Sequence, residues 1–196
     1  ATFHGAGRED VDALMLGDGR PFVVEVKQPG VRDVDVEALQ AAINDAADGA
    51  VAVQDLALAT HDMVERVKEL DASKTYRAEV EFDEPVSSEA LQAALDELEG
   101  ATITQHTPQR VDHRRASIDR TRQVYAASGD RVDDTHATVD VHGEGGLYVK
   151  ELVSGDDGRT EPSLAGLLDV EATVTALDVL SVAGEDEPFA TDGYLK

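Results

Sequence analysis

The pattern that most constrains the fold is a strict alternation of apolar and polar residues over Thr75–Phe82. A period of two predicts a β-strand with its apolar residues on one face. A serine at 87 or 88 follows and can cap a helix, in which leucines recur at helical spacing until Gly100 provides a C-terminal stop. The segment therefore predicts a strand followed by an amphipathic helix. Its apolar residues are Tyr76, Ala78, Val80 and Phe82 in the strand and Leu91, Leu95 and Leu98 in the helix.

The other apolar patterns mix strands and helices without a regular β-α-β order, and hairpin-like neighbours recur. We therefore expect an α+β fold with a mainly antiparallel sheet. The last residues, 185–196, are acidic and turn-rich, which predicts a flexible tail after a domain over 1–184. Strands are predicted at 22–26, 50–58, 122–126, 135–141 and 172–182, with a Gly-Asp turn at 129–130, and helices at 36–47, 61–70 and towards the end of 145–153.

Composition excludes several classes of protein. The 196 residues suffice for one large domain or two small subdomains. No apolar run approaches the ~20 residues of a membrane span, and no secretory leader is visible. The absence of cysteine excludes disulfides and thiolate zinc sites and fits a reducing cytoplasm. A net charge of −24, with 41 acidic residues against 17 basic ones, is typical of a cytoplasmic protein from a halophile.

One segment is locally basic in this acidic chain. Five arginines fall between residues 110 and 122, beside His113, with only Asp112 and Asp119 opposing them. Such a segment can contact the phosphates of a nucleic acid. It can equally be a surface whose arginines pair with the acidic remainder of the protein, and the sequence leaves both interpretations open. The arginines are Arg110, Arg114, Arg115, Arg120 and Arg122.

Two carboxylates and a lysine near the start of the chain allow a metal-dependent interpretation. Asp10, followed by Glu25 and Lys27 on a predicted strand, resembles the D…ExK pattern of restriction-endonuclease-like folds. In such a site Asp10 and Glu25 would hold Mg²⁺, whose bound water attacks a phosphodiester, while Lys27 stabilises the developing charge. A strand that ends in Glu-X-Lys is common, however, which makes this pattern a weak signal. A Mg²⁺-dependent nuclease is therefore kept as the alternative function.

Three separated segments carry a more specific resemblance. They are GRED at 7–10, KTYRAEV at 74–80 and GGLYVKELVSGDDGRTEPSLAGLL at 145–168. In this order, and over nearly the whole chain, they resemble the archaeal and eukaryotic tRNA pseudouridine synthases of the TΨC-arm type. The resemblance implies an α+β fold of two subdomains with an RNA-binding cleft. It also implies isomerisation of uridine 55 in tRNA, with uridine 54 as a further target.

The resemblance assigns a role to five residues. Asp10 matches the catalytic aspartate, and Arg8 matches the arginine that lies beside it. Tyr76 matches the tyrosine that packs on the target uracil, although a tyrosine on a strand is more often part of a core. Tyr148 matches a second tyrosine that contacts substrate, and Lys150 matches the basic residue that pairs with the catalytic carboxylate.

These residue types suit the chemistry. Isomerisation cuts the N-glycosidic bond, turns the uracil and rejoins it through carbon 5. A carboxylate such as Asp10, kept ionised by Arg8 and Lys150, can attack the sugar or remove a proton. A flat ring such as Tyr76 gives an extruded base a surface, worth ~1–3 kcal/mol per stacked base. Contacts to the RNA backbone are expected from Arg110, Arg114, Arg115 and Arg159, although Arg159 can also pair with Asp156 and Asp157.

The resemblance further implies tRNA as the partner, with no cofactor and no metal. We also expect no membrane association and no obligatory protein partner. The chain also departs from the family's pattern. Ala13 and Leu14 stand where the family usually has a basic residue, so one substrate contact is absent or replaced. The N-terminal RNA-binding region of relatives, which carries a cysteine zinc site, has no counterpart in this sequence.

Overall fold

The computed structural model describes residues 1–7, 12–17, 19–70, 72–114, 116–183, 189–191 and 193–196, with the backbone alone at 112, 114 and 183. The chain divides into two units. Unit 1 contains Ala1–Arg8, Pro21–Leu70 and Asp186–Lys196, and unit 2 contains Glu9–Arg20 and Asp71–Glu185. In the described ranges, no helix combines the length and the apolar character that crossing a membrane requires.

Unit 1 contains a two-stranded antiparallel sheet and two helices. Strands β1 (Thr2–Gly5) and β2 (Phe22–Glu25) pair directly, with Phe3 opposite Val24. Helix α1 (Val36–Ala46) begins after Asp35, whose carboxylate accepts a hydrogen bond from the Ala38 N–H at 2.9 Å. Helix α2 (Met63–Glu69) buries Met63, Val64 and Val67. The predicted strand at 22–26 and the predicted helices at 36–47 and 61–70 are thus confirmed within two residues at each end.

The predicted strand at 50–58 is wrong, because side chains of α1 take the backbone hydrogen bonds that a neighbouring strand would take. The Asn44 amide donates to the Val53 carbonyl at 2.9 Å and accepts from the Val53 N–H at 2.7 Å. This arrangement, an amide bridge, satisfies both polar groups of one residue with one side chain. The Gln40 amide oxygen likewise accepts from the Leu56 N–H at 3.1 Å. Residues 50–58 therefore belong to neither sheet.

The described residues of the predicted tail make contacts inside unit 1. The Thr60 N–H donates to the Tyr194 carbonyl, and the Lys196 N–H donates to the Leu58 carbonyl, both at 2.8 Å. The Arg66 guanidinium lies 5.0 Å from the centre of the Tyr194 ring, within the range of a cation–π interaction. The boundary at residue 185 and the flexibility of the tail stay predictions.

Unit 2 is a six-stranded sheet with helices, which confirms the expected α+β class. The strands lie in the order β7-β4-β5-β6-β3-β8, and every neighbouring pair is antiparallel. The elements in chain order are β3 (Ser73–Phe82), α3 (Ser88–Leu98), β4 (Thr102–His106), a 3₁₀ helix (Gln109–Arg114), β5 (Asp119–Arg131), β6 (His136–Gly143), α4 (Val149–Ser154), β7 (Thr160–Glu161), α5 (Leu164–Leu168) and β8 (Ala172–Ala183).

The core of unit 2 follows the alternation in β3. Tyr76, Ala78, Val80 and Phe82 are all buried, as the period of two predicts. On one side of β3 Tyr76 lies opposite Val141 of β6, and on the other side it lies opposite Val179 of β8. Helix α3 begins after Ser87, whose hydroxyl accepts from the Ala90 N–H at 3.1 Å, and its leucines are buried in the same cluster. The capped helix is thus confirmed.

The predicted Gly-Asp turn at 129–130 is wrong, because both residues lie inside β5. Gly129 pairs with Val139 of β6. A Cβ atom at Gly129 would lie 2.5 Å from the Thr138 carbonyl oxygen, so glycine here permits a close approach between two strands. The strands β5 and β6 are instead connected by residues 132–135, and β5 is longer than the predicted strand at 122–126.

Candidate active site

The described residues include only part of the predicted site. The predicted catalytic residue Asp10, its neighbour Arg8 and Arg115 lie outside them, and so does the side chain of Arg114. Tyr76, Tyr148, Lys150, Arg110 and Arg159 are described. The geometry below therefore concerns the residues that surround the predicted catalytic segment.

Residues 14–16, a few positions after GRED, lie along β8. The Leu14 carbonyl accepts from the Val179 N–H at 2.9 Å, and the Leu16 N–H donates to the Val179 carbonyl at 2.8 Å. The Leu14 N–H also donates to the Asp178 carboxylate at 3.2 Å. Because Val179 pairs with Tyr76 on its other side, β8 separates this segment from the predicted substrate-binding tyrosine by one strand. Residues 14–16 and the motif KTYRAEV are therefore close in the sheet.

Lys150, from the third motif, forms an ion pair with Asp12, two residues after the first motif. Its ammonium lies 3.0 Å and 3.3 Å from the two carboxylate oxygens of Asp12. The hydrogen bond from Lys150 lowers the pKa of Asp12, with smaller contributions from a backbone N–H, from the Lys150 charge and from the more distant charge of Arg110. The sequence predicts a partnership between Lys150 and Asp10. That pairing stays a prediction, because Asp10 lies outside the described residues, and Lys150 contacts Asp12, two residues from Asp10 along the chain.

Tyr148 is held by a second amide bridge. The Gln105 side chain accepts from the Tyr148 N–H and donates to the Tyr148 carbonyl, both at 2.9 Å. Gln105 lies on β4 and is only 1% exposed, whereas Tyr148 is partly exposed and directly precedes α4. The backbone of this tyrosine is therefore fixed from the core, while its ring can reach a ligand.

Arg110 is paired inside the protein. Its guanidinium donates to both carboxylate oxygens of Glu151, at 2.6 Å and 3.3 Å, and lies 6.0 Å from the centre of the Tyr148 ring. The Glu151 side chain is 5% exposed and that of Arg110 is 36% exposed. A buried carboxylate needs such a partner, because an unpaired buried charge is costly. Arg110 thus connects the 3₁₀ helix to α4.

The other described arginines of the basic segment also have protein partners. Arg120 donates to the Thr107 hydroxyl at 2.9 Å, and an Arg122 nitrogen lies 3.6 Å from a Glu144 carboxylate oxygen. Arg159 donates to the Thr107 carbonyl at 2.8 Å and lies 3.7 Å from the Asp156 carboxylate. Arg122 and Arg159 thus lie beside carboxylates and Arg120 bonds to a hydroxyl, while contact of the basic segment with RNA phosphates stays a prediction.

The residues of the nuclease interpretation have a different environment. The Glu25 carboxylate lies 3.5 Å from His4, 3.7 Å from His61 and 3.9 Å from Lys27. Within the ranges that the structure describes, no three His, Asp or Glu side chains are grouped so that they could hold a metal ion. Glu25 therefore has Lys27 and two histidines as neighbours, and Asp10 lies outside the described residues.

Three residues of this region were not predicted from the sequence: Asp12, Gln105 and Glu151. A signal existed for two of them. Gln105 is two residues after Ile103, so it occupies an inward position of a strand where an apolar residue is expected. Glu151 interrupts the apolar run of α4 in the same way. A polar residue at a buried position must have a hydrogen-bonding partner, but the sequence does not reveal which one.

The fold defines a class of protein that has a solved representative. A chain in the crystal structure of a Cbf5-Nop10-Gar1 complex superimposes with a TM-score of 0.50. The superposition covers 77% of this chain and 46% of the other, at 21% sequence identity. At this identity the likeness establishes the fold alone, and it agrees with the α+β class seen in unit 2.

The sequence then gives the family. Residues 1–183 match the family model described as Pus10, C-terminal, and the chain belongs to this family. It is 67% identical over 196 residues to the tRNA pseudouridine synthase Pus10 of Halorubrum lacusprofundi and 52% identical over 183 residues to that of Methanothrix thermoacetophila. The resemblance carried by the three motifs is thereby confirmed.

The chain spans less than half of the length of these two relatives. The matched part is 46% of the Halorubrum protein and 40% of the Methanothrix protein, while it covers 100% and 93% of this chain. What the whole relatives do is therefore not established for this chain by similarity alone.

Proposed function

We propose that this chain is the catalytic part of a tRNA pseudouridine synthase. The target would be uridine 55 of the TΨC loop, with uridine 54 as a further target. The observation that carries the proposal is the placement of residues 12–16, which follow GRED. They lie one strand from Tyr76 and are ion-paired through Asp12 to Lys150. Residues of the second and third motifs are thus close, in one unit of the protein, to the segment that follows the first motif.

In the proposed reaction Asp10 is the catalytic residue. The bond between C1′ and N1 of the uridine breaks, the uracil turns, and a bond forms between C1′ and C5. The proton that leaves C5 balances the proton that N1 gains, so the reaction needs no oxidant or reductant. Asp10 would act at the sugar as nucleophile or as base. Lys150 and Arg8 would supply positive charge that keeps this carboxylate ionised.

Tyr76 and Tyr148 would bind the displaced base. Tyr148 suits this role because its ring is partly exposed while its backbone is fixed by Gln105. Tyr76 is buried, so it would form the floor of the base site rather than a free stacking surface. Contacts to the RNA backbone by Arg110, Arg114, Arg115 and Arg159 complete the proposal. Arg110 and Arg159 would contribute mainly by fixing the segment that carries Arg114 and Arg115.

The TΨC arm of tRNA would be the partner, the cytoplasm the place of action, and no further protein or cofactor would be needed. Membership of the Pus10 C-terminal family supports this function over a Mg²⁺-dependent nuclease. Substitutions can separate the two functions, because they depend on different side chains. Pseudouridine formation requires Asp10, Tyr76 and Lys150, whereas the nuclease requires Asp10, Glu25 and Lys27.

The test is pseudouridine formation in an unmodified tRNA transcript, at molar KCl with EDTA. Both this chain and its fusion to the N-terminal half of the Halorubrum relative would be assayed, because the chain spans only 46% of that protein. We expect pseudouridine at position 55. Asp10→Asn should lower the rate by a thousandfold or so, which is the order of loss when a nucleophile or base is removed.

Glu25→Gln is the control that separates the two functions. Pseudouridine formation should be unchanged in Glu25→Gln. Cleavage of RNA or DNA that requires Mg²⁺ and is lost in Glu25→Gln would overturn the proposal in favour of the nuclease. Absence of pseudouridine from both the chain and the fusion would also overturn it.

A further inference from the structure

The amide bridge between Gln105 and Tyr148 lies at the start of α4. Tyr148 precedes the first residue of this helix, and no side chain caps the helix there. Its carbonyl accepts both from Gln105 and from the Leu152 N–H, the latter at 2.9 Å. The position of the first turn of α4 therefore depends on the bridge.

This first turn contains two of the predicted site residues, and both are partly exposed. Tyr148 presents its ring, and Lys150, two residues further on, reaches the Asp12 carboxylate. The Arg110 guanidinium lies beside the Tyr148 ring and donates to Glu151 of the same helix. The hydrogen bonds of Gln105 go to the Tyr148 backbone and, at 3.4 Å, to the Thr160 hydroxyl. A shift of the backbone that it holds would displace both the ring and the ammonium.

We propose that Gln105 is a positioning residue for pseudouridine formation. Through its two hydrogen bonds to the Tyr148 backbone it sets the place of the Tyr148 ring and the Lys150 ammonium relative to the substrate. The proposal rests on the proposed function of the chain. Gln105 is 1% exposed, so it has no access to a ligand itself.

The expected consequence of losing the bridge is a slower chemical step. A displacement of about 1 Å at a reacting group can cost on the order of a hundredfold in rate. The substrate would still meet the same side chains, so binding should change less. We therefore expect the effect in kcat more than in KM.

The variant Gln105→Glu makes this testable through pH. A protonated carboxyl can donate to the Tyr148 carbonyl and accept from the Tyr148 N–H, and so restores the bridge. An ionised carboxylate has no donor and leaves the carbonyl unpaired. Burial disfavours the charged form, so the pKa of the introduced carboxyl should be raised into an accessible range. Activity should then return as the pH falls.

The measurement is kcat and KM from about pH 6 to about pH 8 for the parent, Gln105→Glu and Gln105→Leu. At the upper pH we expect kcat of Gln105→Glu to be about tenfold or more below the parent. At the lower pH it should recover to within about threefold. Gln105→Leu cannot form the bridge at any pH and should stay low throughout. Circular dichroism at each pH would confirm that the variants are folded.

The chain offers a matched control in its other amide bridge. Asn44→Asp makes the same change from amide to acid in a side chain that bonds both backbone groups of one residue, here Val53 in unit 1. Its kcat should follow the parent at every pH. An equal pH-dependent loss in Asn44→Asp would show general destabilisation and would overturn the role of Gln105.

Two failures are distinguishable. An active parent together with a Gln105→Glu profile parallel to it overturns the role of Gln105 and leaves the proposed function intact. Absence of pseudouridine from the parent, in the chain and in the fusion, overturns the proposed function and the role of Gln105 with it.

Discussion

Helices α1 and α3 invite comparison because each has 11 residues, a capping side chain and an acidic residue in its first turn. Their apolar residues recur at the same helical spacing. Yet α3 buries Leu91, Ala94, Leu95 and Leu98 in the core of unit 2, whereas α1 buries none of its residues. Leu95 is 0% exposed and Leu39 is 44% exposed. An amphipathic pattern therefore predicts that a helix forms and which side is apolar, but not whether that side is covered.

The largest difference is expected from truncation of one leucine in each helix. Leu95→Ala removes a fully buried side chain and should lower the free energy of unfolding by about 2–5 kcal/mol. Leu39→Ala removes a side chain that is already half in water and should cost less than about 1 kcal/mol. Urea unfolding at molar KCl measures both. An equal cost for Leu39→Ala would mean that the apolar side of α1 is covered in solution.

A smaller difference is expected from the caps. Ser87→Ala and Asp35→Ala each remove an acceptor for a backbone N–H, which is worth about 1 kcal/mol. Because α3 is part of the core, Ser87→Ala should lower the unfolding midpoint of unit 2. Asp35→Ala should instead speed amide hydrogen exchange within α1 and leave that midpoint unchanged. Exchange measured by mass spectrometry separates the two, and a shift of the midpoint by Asp35→Ala would contradict the comparison.

The smallest effect is expected at the connection between β5 and β6, which is exposed in unit 2 as α1 is in unit 1. A hydrogen bond from His136 to the Asp133 carboxylate raises the pKa of this histidine. A raised pKa in the folded state stabilises the fold below the unfolded pKa. That stabilisation is lost as the pH rises through the folded value. NMR titration of the His136 ring should show the raised pKa, and Asp133→Asn should return it towards the ordinary value.

The sequence predicted those parts of the fold in which pattern and environment agree. The alternation of β3 was sufficient because one face of this strand is buried along its whole length. It was insufficient for residues 50–58, where side chains of the preceding helix, Asn44 and Gln40, satisfy the backbone groups of Val53 and Leu56. Gly129 misled in a similar way, since glycine permits both a turn and a close strand contact.

The motifs around the candidate site were predictable from the sequence, but two of the ion pairs found there were not. Lys150 was identified as a cation near the catalytic segment, but its contact with Asp12 depends on where α4 and residues 12–17 lie in space. Arg110 was identified within a basic segment, while its buried partner Glu151 is 41 residues away in sequence. Spacing along the chain can suggest which residues carry chemistry. It cannot show which acidic side chain each basic residue pairs with in the folded protein.

The interleaved composition of the two units has a consequence for biosynthesis. Unit 1 draws on residues before 71 and after 185, with the sequence of unit 2 between them. The hydrogen bond between Thr60 and Tyr194 closes a loop that contains most of unit 2. A ribosome must therefore finish the sequence of unit 2 before the last contacts of unit 1 can form, and closing so long a loop is slow. We expect unit 2 to become resistant to protease first during translation, and the contacts of Leu58, Thr60 and Arg66 with residues 194–196 to form last.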